Sequence, residues 1–148
     1  MQDNPRTTGP GPTSDSEGHH SYTLAAPMLH FDLRSEAEQL RRQPSYERGD
    51  PTGKTLVKEP DLRIVLFALK AGARLDQHQA SGPISIQAIG GTIRLRAGNE
   101  TVELASGNLL MLEPRVPHDV DALGDAVFLL TLGRTTYQDV SDRHEPHR

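Results

Sequence analysis

The sequence contains no cysteine and no tryptophan, and it carries no excess of basic charge. Without thiols it forms no disulfide, so nitrogen and oxygen ligands would have to hold any metal. The net charge of −4 argues against a general affinity for nucleic acid, which needs a basic surface. No apolar run reaches the ~18 residues that span a bilayer, and the start lacks a secretory signal. We therefore expect a cytoplasmic protein that binds neither nucleic acid nor membrane.

Apolar residues are scarce at both ends of the chain, and only 34% of the 148 residues are hydrophobic. A single modest core must therefore be built mainly from the middle. We divide the chain into a disordered leader at 1–21, an N-terminal extension at 22–54, a β-structured body at 55–133 and a polar tail at 134–148. The leader is rich in Pro, Gly, Ser and Thr, and such a composition does not repay the entropy of ordering.

The extension contains three different patterns. The apolar stretch at 22–31 predicts an edge strand. Ser35 and Glu38 form a capping box, which predicts a helix of about two turns over 35–42. The polar stretch at 44–54 predicts a loop.

The body reads as many short strands separated by glycine-bearing turns. Thr92–Ala97 and Thr101–Leu104 alternate apolar and polar residues on either side of Gly98, which predicts a β-hairpin. In Leu62–Leu69 the residues that would face either side of a strand are mostly apolar, which predicts a strand that is covered on both sides. Numerous short strands with little helix favour a small antiparallel β-barrel or jelly roll, with a β-sandwich as the alternative.

Two histidines lie in a spacing that carries further information. Gly72 is followed after five residues by His78, and Gly91 comes later at a matching interval. In a known motif of the form Gly-x5-His-x-His-x3–4-Glu-x6-Gly, Ala80 would stand at the second histidine and Ile84 at the glutamate.

A second spacing surrounds the other histidine. Gly107 and His118 match a motif of the form Gly-x5-Pro-x-Gly-x2-His-x3-Asn. Glu113, Arg115 and Ala122 stand at its proline, glycine and asparagine positions. Over about 60 residues, the two motifs and the hairpin between them resemble the conserved barrel of the cupin superfamily.

The resemblance implies an all-β, cupin-type antiparallel barrel (a jelly roll) with a short N-terminal helical extension, and we expect a homodimer. Cupins hold a divalent metal with two first-motif histidines, the glutamate and the second-motif histidine. This chain keeps two of these four ligands, His78 and His118. A third ligand would have to be Asp76 or Glu113, with Fe, Mn, Ni or Zn as the metal, and we expect none to be bound tightly.

Cupins include enzymes and non-enzymes, so the resemblance does not decide whether this chain is an enzyme. Apolar residues in place of two ligands favour a small-molecule pocket lined by Ala80, Ile84 and Ile86. The alternative is a metal-dependent enzyme, of dioxygenase or isomerase type, that uses both histidines and an unconventional third ligand. A third hypothesis is an interaction role in which residues 22–33 add a strand to a partner subunit's sheet.

Three arginines in the body have two interpretations each. Arg63 begins a strand and would be either an anion anchor inside the barrel or, as is commoner, a residue of the outer surface. Arg94 and Arg96 alternate outward along their strand, which predicts a solvated face or the flank of a dimer interface.

Overall fold

The computed structural model describes residues 27–133, except for the side chains of Gln77 and His78. Three predicted segments lie outside these residues: the leader at 1–21, the beginning of the edge strand at 22–26 and the tail at 134–148. The chain divides between Asp32 and Leu33 into two units. No helix in the described residues is long and apolar enough to cross a membrane.

The second unit begins with two short helices. The helix α1 (Leu33–Arg41) confirms the predicted helix, but it begins two residues earlier, so Ser35 lies inside its first turn. The predicted loop at 44–54 is partly wrong, because α2 (Pro44–Glu47) forms there. Proline is favoured in the first turn of a helix, where its missing N–H costs nothing, and this explains why Pro44 starts a helix.

Two antiparallel sheets follow. The five-stranded sheet has the order β1-β2-β9-β4-β7, and the four-stranded sheet has the order β3-β8-β5-β6. The strands are β1 (Thr52–Glu59), β2 (Leu62–Leu69), β3 (Arg74–His78), β4 (Ile84–Gly90), β5 (Thr92–Ala97), β6 (Glu100–Ala105), β7 (Leu109–Leu112), β8 (His118–Ala122) and β9 (Ala126–Gly133).

Most strands agree with the sequence prediction to within one or two residues. The first strand is longer than predicted, because β1 begins at Thr52. The predicted edge strand at 22–31 is wrong over its described part, since residues 27–31 form no strand. Pro27 has no N–H to donate to a ladder, which weakens any strand that contains it.

The inward faces of the two sheets share one apolar core. Cross-strand rows build it, since directly paired residues lie on the same face of a sheet. In the four-stranded sheet one such row is Leu75, Val120, Leu95 and Val102. In the five-stranded sheet the core includes Phe128, whose ring stacks on that of Phe67 with centroids 5.2 Å apart.

A second, smaller core lies on the outward face of the five-stranded sheet. Leu66 and Ala68 of β2 and Val127 of β9 form it together with Ala37 and Leu40 of α1. Because β2 carries apolar residues on both faces, it is covered on two sides, as its sequence predicts. The N-terminal helix is thus part of the folded domain and closes the back of the larger sheet.

A glycine at the turn between β4 and β5 lets two strands approach closely. Gly91 has φ +71°, and a Cβ built on it would lie 2.9 Å from the Cα of Ala126 and collide with the carbonyl oxygen of Asp125. The pairing of β4 with β9 shifts register between Ala88 and Gly90, so a bulge lies directly before this turn.

Candidate functional site

One end of the barrel collects the connections that the sequence associates with the two histidines. The β3–β4 loop (79–83) and the β7–β8 loop (113–117) both lie there, because each joins one sheet to the other at that end. The Arg115 N–H donates a hydrogen bond to the Ala80 carbonyl at 2.7 Å and ties the two loops together. We call this the histidine end.

On β9, the inward-facing residues become more exposed toward the histidine end. Along β9, Ala126 and Phe128 are fully buried, whereas Leu130 and Leu132 on the same face are only partly buried. The inward residues of β7, Leu110 and Leu112, are also partly buried. The barrel is therefore filled by its own side chains at one end and presents accessible apolar surface at the other.

His118 is the first residue of β8 and is only 3% exposed. Its Nδ1 lies 3.0 Å from the carbonyl oxygen of Val116. A carbonyl only accepts hydrogen bonds, so this contact requires a proton on Nδ1, and the neutral ring then carries its lone pair on Nε2. The contact with the Val116 carbonyl thus orients the imidazole and favours the tautomer with its proton on Nδ1.

The backbone of residue 78 lies directly across from His118. Uninterrupted pairing of β3 with β8 would have set Gln77 there, but the register shifts by one residue between Leu75 and His78. This bulge brings the two predicted histidine positions together on adjacent strands. Because of this bulge, regular alternation does not hold between Asp76 and residue 78.

The backbone of the β7–β8 loop also matches the motif. Arg115 stands where the cupin motif has glycine, and its φ is +64°. It is the one described residue other than glycine with a positive φ. A left-handed conformation favours glycine, so the loop keeps the shape of the motif although the residue has changed.

The three residues predicted to line a pocket all contribute to the barrel core. Ile84 and Ile86 are almost fully buried, and Ala80 packs against them as a partly buried residue. Ile84 lies in the outermost row, beside Leu112 and Leu132, and Ile86 lies one row deeper. Accessible apolar surface therefore comes mainly from their leucine neighbours, which the sequence alone did not single out.

The predicted third metal ligands lie in exposed positions. The Asp76 side chain is 93% exposed and pairs with Arg74 at 3.7 Å. Glu113 is exposed in the β7–β8 loop. Among the side chains that the structure describes, no three His, Asp or Glu residues could hold a metal together. Ala80 and Ile84 supply no donor atoms, so the residues present do not fit the four-ligand set of the cupin motifs.

The outward face of the four-stranded sheet is a network of ion pairs. Arg96 Nη1 lies 2.9 Å from Asp119 and 3.2 Å from Asp121, and Arg94 Nη1 lies 3.6 Å from Asp121. Arg74 joins the network at Asp119, with a distance of 3.5 Å. Arg94 and Arg96 do point outward, as predicted, and they cover the two aspartates of β8, which are only 14% and 17% exposed.

Arg63 is exposed, at a place where the inward face of the larger sheet meets solvent. Its cross-strand partner on β9 is Leu132, an inward residue, so Arg63 lies on the inward face of the sheet at the histidine end. Its partner on β1 is Lys58, which shares that face. Sequence analysis missed Lys58, because its pairing depends on a register shift in β1 between Thr55 and Val57.

No protein-family model matches the sequence, and a search of curated proteins found no match. Solved structures do resemble the chain. A cupin superfamily protein from Desulfitobacterium hafniense matches with a TM-score of 0.56 and 15% identity, over 57% of this chain and 78% of that one. A conserved protein of unknown function from Streptococcus pyogenes matches with a TM-score of 0.62 and 21% identity, over 80% and 98%.

A variant of salicylate 1,2-dioxygenase from Pseudoaminobacter salicylatoxidans matches with a TM-score of 0.59 and 19% identity, over 74% of this chain but only 34% of that one. Several other similar structures are also described as cupins. Together with the two-sheet topology, these similarities show that the chain has the cupin fold. Identities this low establish the fold and leave the function to be argued from the site.

Proposed function

We propose that the protein binds a small molecule at the histidine end of its barrel. The observation that carries this proposal is the gradient of burial along the inward face of β9. Phe128 is sealed inside the barrel, whereas Leu130 and Leu132 on the same strand keep part of their surface accessible. Apolar surface beside a few fixed polar groups is typical of ligand sites, and buried His118 is such a group.

A neutral apolar probe tests the proposal directly. We expect 1-octanol, titrated into isotopically labelled protein, to shift the backbone amide resonances of Leu112 and Leu132. The amides of Leu69 and Ala126, at the filled end, should stay unchanged. Shifts spread evenly over the barrel, or no saturable shift, would contradict the proposal.

Two adjacent residues of β7 provide a matched pair of variants. Leu112 points into the barrel, whereas Met111 points outward and is 62% exposed. We expect Leu112→Gln to weaken octanol binding about tenfold, equivalent to ~1.4 kcal/mol. Met111→Gln should leave the affinity unchanged. Equal affinities in both variants would place the probe outside the proposed site.

A metal-dependent enzyme, of dioxygenase or isomerase type, is the second candidate. The bulge that sets residue 78 across from His118 supports it, as does the Val116 contact that directs the lone pair of the neutral ring to Nε2. Metal-bound histidines commonly donate their other ring N–H to a carbonyl in this way. A dioxygenase is also among the structures that share this fold. This candidate still requires a third ligand.

Elemental analysis of untagged protein separates the two candidates. The second candidate predicts near-stoichiometric Fe, Mn, Ni or Zn, which is lost in a His78→Ala/His118→Ala double variant. His30→Ala serves as a control, because His30 is exposed and precedes the barrel. Protein that takes up no metal after incubation with each of these ions would eliminate the enzyme candidate and leave the binding function.

A further inference from the structure

One cross-strand row runs across all five strands of the larger sheet at the histidine end. It consists of paired residues on the inward face, one from each strand. In spatial order they are Lys58, Arg63, Leu132, Ile84 and Leu112. The row thus begins with two adjacent cations and continues with three apolar residues.

Within the described part of the chain, neither Lys58 nor Arg63 forms an ion pair, whereas Lys54 on the same strand pairs with Glu36 at 2.7 Å. Like charges directly opposite each other on paired strands are destabilising. A row that keeps two such charges side by side is suited to an anion that bridges them.

The surface around the two cations is open to solvent. Gly53 and Thr55, which share the inward face of β1 with Lys58, are both exposed, so the smaller sheet does not cover this side. Leu132, next in the row, is partly buried. A ligand that lies on this surface therefore contacts the two exposed cations and the partly buried Leu132 at the same time.

We propose that the ligand of this site is an amphipathic carboxylate, whose carboxyl group binds Lys58 and Arg63 and whose apolar part lies along Leu132 toward Leu112. This inference rests on the proposed small-molecule function and names the class of ligand. Adjacent strands are spaced ~4.8 Å apart, so Arg63 and Ile84 are separated by ~10 Å along the row. An extended chain of about eight carbons covers that distance.

The test compares octanoate with 1-octanol, which have the same chain length but differ in charge. By isothermal titration calorimetry, we expect wild-type protein to bind octanoate about 2- to 30-fold more tightly than octanol, which is the gain expected from two ion pairs with exposed side chains. Lys58→Gln/Arg63→Gln should remove this preference. Its affinity for octanol should be unchanged, which also shows that the barrel of the variant is intact.

A matched variant controls for the loss of two positive charges. Arg48→Gln/Lys54→Gln removes the same charge from side chains whose ion pairs lie away from the row, and it should keep the preference for octanoate. If wild type and both variants bind the two probes equally, the carboxylate inference is wrong while the binding function stands. If neither probe binds any form of the protein, the proposed function itself fails.

Discussion

Replacing Gly91 by alanine tests whether the close approach of β9 to the β4–β5 turn is essential to the fold. Gly91 has a positive φ, and an added Cβ would collide with the backbone at Asp125 and Ala126. Backbone atoms cannot rotate away as a side chain can, so the strands themselves would have to move apart.

The magnitude follows from two separate contributions. A left-handed conformation costs an alanine ~1–2 kcal/mol. Forcing an extra carbon into a packed site typically costs a further ~1–3 kcal/mol. We therefore expect Gly91→Ala to lower the free energy of unfolding by ~2–5 kcal/mol, a large part of the ~5–15 kcal/mol that stabilises a typical domain.

Gly98 provides the matched control for the conformational contribution. It also has a positive φ, +61°, but a Cβ built on it would meet nothing within 4 Å. Gly98→Ala should therefore lose only ~1–2 kcal/mol. Urea unfolding followed by circular dichroism measures both variants. Equal losses would refute the argument, because they would show that the contact with β9 is tolerated.

Two further predictions concern the charged residues. Lys58→Glu, which gives Arg63 an opposite charge, should raise stability by ~0.2–1 kcal/mol at low salt, seen as a higher melting temperature; an unchanged value would show that the pair does not interact. A double-mutant cycle between Arg96 and Asp119 should give a coupling of ~0.5–1 kcal/mol that falls in 1 M NaCl, and a salt-independent coupling would argue against an ion pair.

The strands were predictable from sequence because apolar and polar residues alternate where one face of a strand is buried and the other is exposed. The Thr92–Ala97 hairpin shows this most clearly, since Ile93 and Leu95 point inward and Arg94 and Arg96 outward, as predicted. The N-terminus of α1 was less predictable. Ser35 and Glu38 satisfy a capping pattern, yet the helix begins at Leu33, which packs against the second core. Tertiary packing there outweighed a local signal.

The site was harder to predict than the fold, because two register shifts determine it. One shift sets residue 78 opposite His118, and the other sets Lys58 opposite Arg63. A bulge adds one residue to a strand and reverses which residues share a face beyond it. Neither bulge has a distinctive sequence signature here, so regular alternation predicts neither of these two pairings.

The two faces of β8 differ so much in polarity that this short strand pairs favourably in only one register. His118, Val120 and Ala122 face the core, and Asp119 and Asp121 between them face the arginines. If β8 slipped by one residue during assembly, both carboxylates would enter an apolar interior without partners and Val120 would be left in water. Misaligned chains would thus gain nothing from closing the barrel. The ion pairs therefore discriminate between alternative pairings, a role that matters more than the modest stability they add to the correct one.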